Sequence, residues 1–130
     1  MSVRELAFLY HGINNSRGYL EFGSGSTTVM ACLLLKDDAR KKFYVIDSES
    51  HYQFLRMSDN KCIDHAVTTA AGIVKLVDIG AVDSTGFPTN KKYEKNWHRY
   101  ITTVGLLKSE TIDVIFLDGR FRVAAIVSSF

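Results

Sequence analysis

Apolar and polar positions along the chain follow two rhythms. Val3, Leu6, Ala7, Tyr10 and Ile13 recur at helical spacing and predict a short opening helix over residues 3–13. Asn14 to Gly18 reads as a turn. Tyr19-Leu20-Glu21-Phe22 is a short apolar run closed by Gly23-Ser24-Gly25-Ser26, and Val29, Met30, Cys32, Leu33 and Leu34 then fit a buried helix. Lys36 to Lys42 is a charged, solvated loop. Phe43-Tyr44-Val45-Ile46, rich in β-branched and aromatic residues, predicts a second strand that ends at Asp47. Helical stretches are expected from His51 to Met57 and from Ala66 to Ile73, followed by a third strand from Val74 to Ile79 and then Gly80. Residues 80–98 are the least regular part, with Gly80, Gly86, the single proline Pro88 and the basic pair Lys91 and Lys92. Loops of that length inside a domain are often functional or disordered. A helix is expected from Asn96 to Leu107. Ile112 to Leu117 is the clearest strand, with Asp118-Gly119 at its end, and Val123 to Val127 opens a last apolar helix.

Strands that alternate with helical stretches indicate an α/β fold, Rossmann-like, with a mostly parallel sheet of about four strands and helices on both faces. The strands are nearly unbroken apolar runs, as expected where both faces are covered. A length of 130 residues fits one domain over residues 1–130, and a 46% hydrophobic content gives it a core. The net charge of +2, with acids and bases mixed, argues against nucleic acid or an anionic membrane as a partner. No stretch reaches the roughly 18 apolar residues of a membrane span. The N-terminus lacks a basic-then-apolar signal pattern. Cys32 and Cys62 have neither CxxC nor metal spacing and lie in apolar stretches, so buried free thiols are expected rather than a disulfide. A cytoplasmic, reducing setting follows as an expectation.

Three features fall at the carboxyl ends of predicted strands, where open α/β sheets bind ligands. The first is Glu21-Phe22-Gly23-Ser24-Gly25-Ser26-Thr27. Its glycines let the backbone turn tightly and approach a ligand, and the following helix points free N–H groups at whatever sits above it. A dinucleotide fingerprint would place a third small residue at position 28, where this chain has Thr28. Glu21 beside the glycines suits a ligand carrying an ammonium better than a pyrophosphate. The bland alternative is a plain strand-to-helix turn with Ser26 or Thr27 as N-cap. The second feature is Asp47, about 20 residues past the glycines, the spacing of a carboxylate that accepts from ribose hydroxyls. Glu49 competes for that role, and a helix-capping or solvent-facing acid is the alternative. The third is Asp118-Gly119-Arg120, where Asp118 is placed to meet a reacting group or to cap the last helix. Arg120 and Arg122 are read as a solvated helix start before an anion site. His11, His51, His65 and His98 show no metal spacing and are read as surface or core. Trp97 and Tyr100 are read as packing residues.

With these residues in place, the chain resembles the class I S-adenosylmethionine-dependent methyltransferases, in a poorly characterised branch. The resemblance rests on Tyr19-Leu20-Glu21-Phe22-Gly23-Ser24-Gly25-Ser26-Thr27, Tyr44-Val45-Ile46-Asp47-Ser48-Glu49, Asp78-Ile79-Gly80 with Gly86 and Pro88, and Asp113 to Ala124 around Asp118-Gly119-Arg120-Phe121-Arg122-Val123-Ala124. It runs over nearly the whole chain, and the last motif is the most specific. It implies S-adenosylmethionine as cofactor and methyl transfer to an acceptor the sequence does not name. Glu21, Gly23, Ser24, Gly25, Ser26 and Thr27 would face its methionine part, Asp47 with Ser48 its ribose, Asp78 its adenine. Asp118 would face the transferred methyl or the substrate, as the catalytic candidate. No metal is expected. The chain departs from the resemblance where Ser26-Thr27 replace Gly-Ser, and in having about four strands where the family has seven. It therefore reads as the N-terminal half of the full fold, with an open sheet edge that a homo-oligomer could cover. A non-catalytic binding module is the alternative, and a dinucleotide-dependent oxidoreductase a third reading that Thr28 disfavours.

Overall fold

The computed structural model describes residues 1–57, 60–84, 87–107, 109–118 and 129. The chain forms α1 (Val3–Asn15), β1 (Gly18–Phe22), α2 (Ser26–Leu35), β2 (Lys42–Ser48), α3 (Glu49–Met57), α4 (Lys61–Thr68), β3 (Gly72–Val77), α5 (Glu94–Thr102) and β4 (Val114–Leu117). The 3₁₀ turns Lys91–Tyr93 and Thr103–Leu107 flank α5. The last helix expected from Val123, and with it Gly119, Arg120 and Arg122, lies outside the described residues, as does Gly86.

The four strands form one sheet in the order β3-β2-β1-β4, and every pairing is parallel. The expected Rossmann-like α/β architecture is therefore present. β1 lies inside the sheet, paired to both β2 and β4, and all five of its residues are buried. Alternation along the strands splits the core in two. Tyr19, Phe43 and Val45 pack with Ile13, Ala31, Cys32, Leu35 and Ile63 under α1, α2 and α4. Leu20, Phe22, Tyr44 and Ile46 pack on the other face with Ile79, Tyr100 and Leu107. Trp97 packs against that second core, so Trp97 and Tyr100 are packing residues as expected.

Several boundaries differ from the sequence pattern, each for a local reason. β2 runs through Asp47 to Ser48 because its pairing with β3 continues to Ser48↔Val77. The helix expected at residues 66–73 ends at Thr68. Ala70 then takes a left-handed φ of 60° and turns the chain into β3, two residues earlier than the pattern predicts. Gly72 opens β3 because the Phe43 ring occupies the space a Cβ would need, with Cζ 2.4 Å from its position. β4 begins at Val114 rather than Ile112. Asp113 is instead drawn across to β1, where its carboxylate accepts from the backbone N–H groups of Arg17 and Gly18.

The cysteines overturn an expectation. Cys32 of α2 and Cys62 of α4 form a disulfide instead of remaining free thiols. Sequence spacing of 30 residues carried no sign of it; the packing of α2 against α4 brings the two together. With both cysteines bonded, the thiol argument for a reducing compartment falls away. Among the described residues, no helix is long and apolar enough to cross a membrane.

Two outcomes are expected. Thiol titration of the unfolded, unreduced chain should find no free cysteine, and reduction should lower the unfolding free energy by about 3–4 kcal/mol in urea titrations. A Cβ at Gly18 would fall 1.7 Å from the Thr111 carbonyl oxygen. Gly18→Ala should therefore cost at least about 2 kcal/mol by the same measurement, because β1 and β4 must move apart.

Candidate functional site

The turn from β1 to α2 is shaped by three local demands. Gly23 continues the ladder by one step, donating to the Ile46 carbonyl at 2.9 Å, and then adopts a φ of 86° that a side chain would oppose. Ser24 turns back into the protein. Gly25 caps α2, and a Cβ there would meet nothing within 4 Å, so open space lies over the turn. Neither Ser26 nor Thr27 is the N-cap; Ser26 is exposed in the first turn of α2. Thr28 does the capping work instead. Its Oγ1 accepts from the Gly25 N–H at 2.9 Å and donates to Glu21 Oε2 at 2.5 Å. The position that a dinucleotide fingerprint keeps small is here a hydroxyl joining the helix start to the acid of the strand.

Glu21 is fully buried on the α1/α2 side of β1. It also accepts from Thr27 Oγ1. Burial pushes its carboxyl up to about 7; the two threonine hydrogen bonds oppose the shift, while the charges of Asp47 and Asp118 add to it. Tyr19, two residues before on the same face, is likewise buried. Its hydroxyl lies near Thr27 and Glu21 but makes no hydrogen bond of regular geometry. Burial and the neighbouring Glu21 charge push the phenol well above its ordinary range.

Asp47 is 2% exposed and occupied from several sides. Its Oδ2 accepts from Ser24 N at 2.9 Å, from Ser24 Oγ, and from His51 Nδ1 at 2.9 Å. Its Oδ1 accepts from Ser48 N at 2.7 Å. The acid expected at a ribose thus first joins the glycine turn to the end of β2, leaving Oδ1 the less committed oxygen. Ser48, also buried, caps α3 by accepting from His51 N at 3.1 Å. Glu49 is exposed at the first position of α3.

Asp78 follows β3 and is exposed. Its side chain accepts from Gly80 N at 2.9 Å and its carbonyl from Asn96 Nδ2 at 2.9 Å. Gly80 has a φ of 80° and packs against Tyr93, and its carbonyl accepts from Ser50 Oγ at 3.0 Å. Asp78 therefore belongs to a second turn, linked to the first through α3. Asp118 lies exposed just past β4, at the end of a cleft of about 1000 Å³ between α1 and β4. Because Phe22 pairs with both Ile46 and Leu117, the next positions, Asp47, Gly23 and Asp118, form one row across three strands.

The structure thus gathers Glu21, Gly23, Ser24, Gly25, Thr27, Asp47 and Ser48, with Asp118 at the margin. Sequence reasoning missed Tyr19, Thr28 and His51. His51 is one helical turn past Asp47, and that spacing is the signal that sets it apart from the other histidines. Among the described residues no three His, Cys, Asp or Glu side chains are gathered as metal ligands.

No family model matches the chain, and no curated protein does. Among solved structures it is similar to a methyltransferase-like protein from Silicibacter pomeroyi DSS-3, with a TM-score of 0.77 and 22% identity. The match covers 99% of this chain and 64% of that one. The fold of this chain is therefore methyltransferase-like, and it spans less than two thirds of the length of that protein.

The raised Glu21 carboxyl has a signed consequence for stability. It holds its proton more tightly in the folded than in the unfolded chain, where its ordinary value is 4.5. The stability this contributes is complete below 4.5 and is lost as pH rises through about 7. Urea titrations should show wild type losing up to about 3 kcal/mol between roughly pH 5 and pH 8, a loss missing from Glu21→Gln.

Proposed function

We propose that the chain binds S-adenosylmethionine over the Gly23–Gly25 turn and takes part in methyl transfer to an acceptor. The observation that carries this reading is the buried Glu21 carboxylate beneath a glycine turn with open space above Gly25. A carboxylate in that place, with no lysine or arginine paired to it among the described residues, fits a ligand that brings its own positive charge. The methyltransferase-like fold supports the same ligand.

Within this reading Glu21 acts electrostatically on the methionine end, and the backbone of Gly23, Ser24 and Gly25 lies against it. Ser26 and Thr27 begin the helix whose N–H groups face the same space. Asp47 positions Ser24 and His51, and its Oδ1 with Ser48 borders the ribose. Asp78 stands on the adenine side. Asp118, at the mouth of the α1–β4 cleft, faces the acceptor and is the catalytic candidate. The cofactor when bound supplies a methyl already activated on sulfur, so the protein contributes placement, charge and exclusion of water. The second reading is a module that binds the cofactor without turnover. In either case a second copy against the β4 edge is part of the proposal.

Calorimetric titration with S-adenosylhomocysteine, with NAD as control, tests this. Micromolar binding of the first ligand alone is expected, weakened about tenfold (~1.4 kcal/mol) in Asp47→Ala. Asp47→Asn, which keeps the acceptor for Ser24, should be affected less. A folded protein that ignores S-adenosylhomocysteine, or prefers NAD, would sink the reading. Methyl transfer from labelled cofactor then separates the enzyme from the silent binder.

A further inference from the structure

Glu21 sits among acids. From β2, Asp47 bears on it, and from beyond β4, Asp118; both charges oppose its ionisation. From its own strand Tyr19 presents a phenol, and from α2 come only the hydroxyls of Thr27 and Thr28. His51 of α3 hydrogen-bonds Asp47. From α5 on the opposite face, Tyr100 is buried with its hydroxyl on the Ile46 carbonyl at 3.4 Å. From α1, Arg4 and Glu5 line the cleft that ends at Asp118.

Two features of this arrangement point the same way. The acid at the centre lacks a cation of its own among the described residues, so its charge is opposed from both flanking strands. And the buried Tyr19 hydroxyl, a donor without a regular acceptor, lies beside it. A neutral carboxyl satisfied by two threonines has less call on that donor; an ionised one has lone pairs to spare for it. The site therefore holds a ready hydrogen bond for the charged form and, among the described residues, no counter-ion to stabilise it.

We propose that this site exchanges a proton for a positive charge: Glu21 carries a proton in the free protein and loses it when a cationic group settles over the glycine turn. The carboxyl O–H bond breaks, its electron pair stays on the oxygen, and the proton passes to solvent buffer. This rests on the cofactor reading above and adds regulation to it. S-adenosylmethionine, with both sulfonium and ammonium charges, displaces more of the proton than S-adenosylhomocysteine, which has lost the sulfonium charge. Lowering the pH then loosens both ligands and makes the affinity of the charged one fall more steeply.

The test is calorimetry of the full chain with each ligand, repeated in buffers of different ionisation enthalpy, which counts protons released. Near pH 7, S-adenosylmethionine binding should release about half a proton from Glu21, since its carboxyl sits at about 7. S-adenosylhomocysteine should release less. Affinity should rise up to about tenfold per pH unit below that value and flatten above it. Glu21→Gln, if folded, should abolish the difference between the ligands in proton release. Tyr19→Phe, which keeps the carboxyl, should move the pH profile upward. The same heat in every buffer, or the same proton count in Glu21→Gln as in wild type, would overturn the proposal while leaving cofactor binding intact. Failure of both ligands to bind at any pH would overturn the cofactor reading and this inference with it.

Discussion

A carboxyl group buried at the middle of a sheet is costly unless its oxygens find hydrogen-bond partners, and in this protein those partners are hydroxyls. Glu21 accepts from Thr27 and Thr28 at the first turn of α2. Thr28 passes the connection on to Gly25, the cap of that helix. Asp47, in the neighbouring strand, holds Ser24 by both backbone and side chain. The glycine turn is thus fastened from below by one acid and from the side by another. Its shape follows from two buried carboxylates as much as from the glycines themselves. What remains open is the space above Gly25, and beneath that space lies the Glu21 carboxyl.

Much of this fold was legible because its strands are buried on both faces. Tyr19 to Phe22, Phe43 to Ile46 and Ile112 to Leu117 are apolar runs long enough to mark strands and bracketed by turn residues. The parallel order follows from the helical stretches between them. The ends of elements were less legible, because pairing and packing set them rather than composition. Asp113 reads as part of a strand until one sees that it serves the backbone at Arg17 and Gly18. The Cys32–Cys62 bond was invisible because helix-to-helix packing, not spacing, brings its partners together.

The site divides along a similar line. Glu21, the glycines and Asp47 could be read from type and position, since a strand's carboxyl end is where such residues matter. The partners could not. Thr28 looks like a missing glycine, yet its hydroxyl links two groups, the Gly25 amide and the Glu21 carboxyl. His51 resembled any other histidine until the turn into α3 laid it against Asp47. Tyr19 looked like core, and its ring is core; its hydroxyl is what reaches the acid. In each case the information lies in direction of projection, which a linear pattern does not carry.

The Asp113 clasp has a consequence for where the third acid of the site stands. β1 meets β2 at Gly18 and Lys42, across a short stretch of chain, whereas Asp113 reaches Gly18 over a separation of 95 residues. Closing the longer loop costs about 1 kcal/mol more in chain entropy. The β1–β2 pairing therefore closes the shorter loop, and the Asp113 clasp helps hold the end of the longer one. Asp118 follows directly on β4. The third acid of the site thus owes its place to two backbone amides at the far end of β1, remote from the glycine turn it borders.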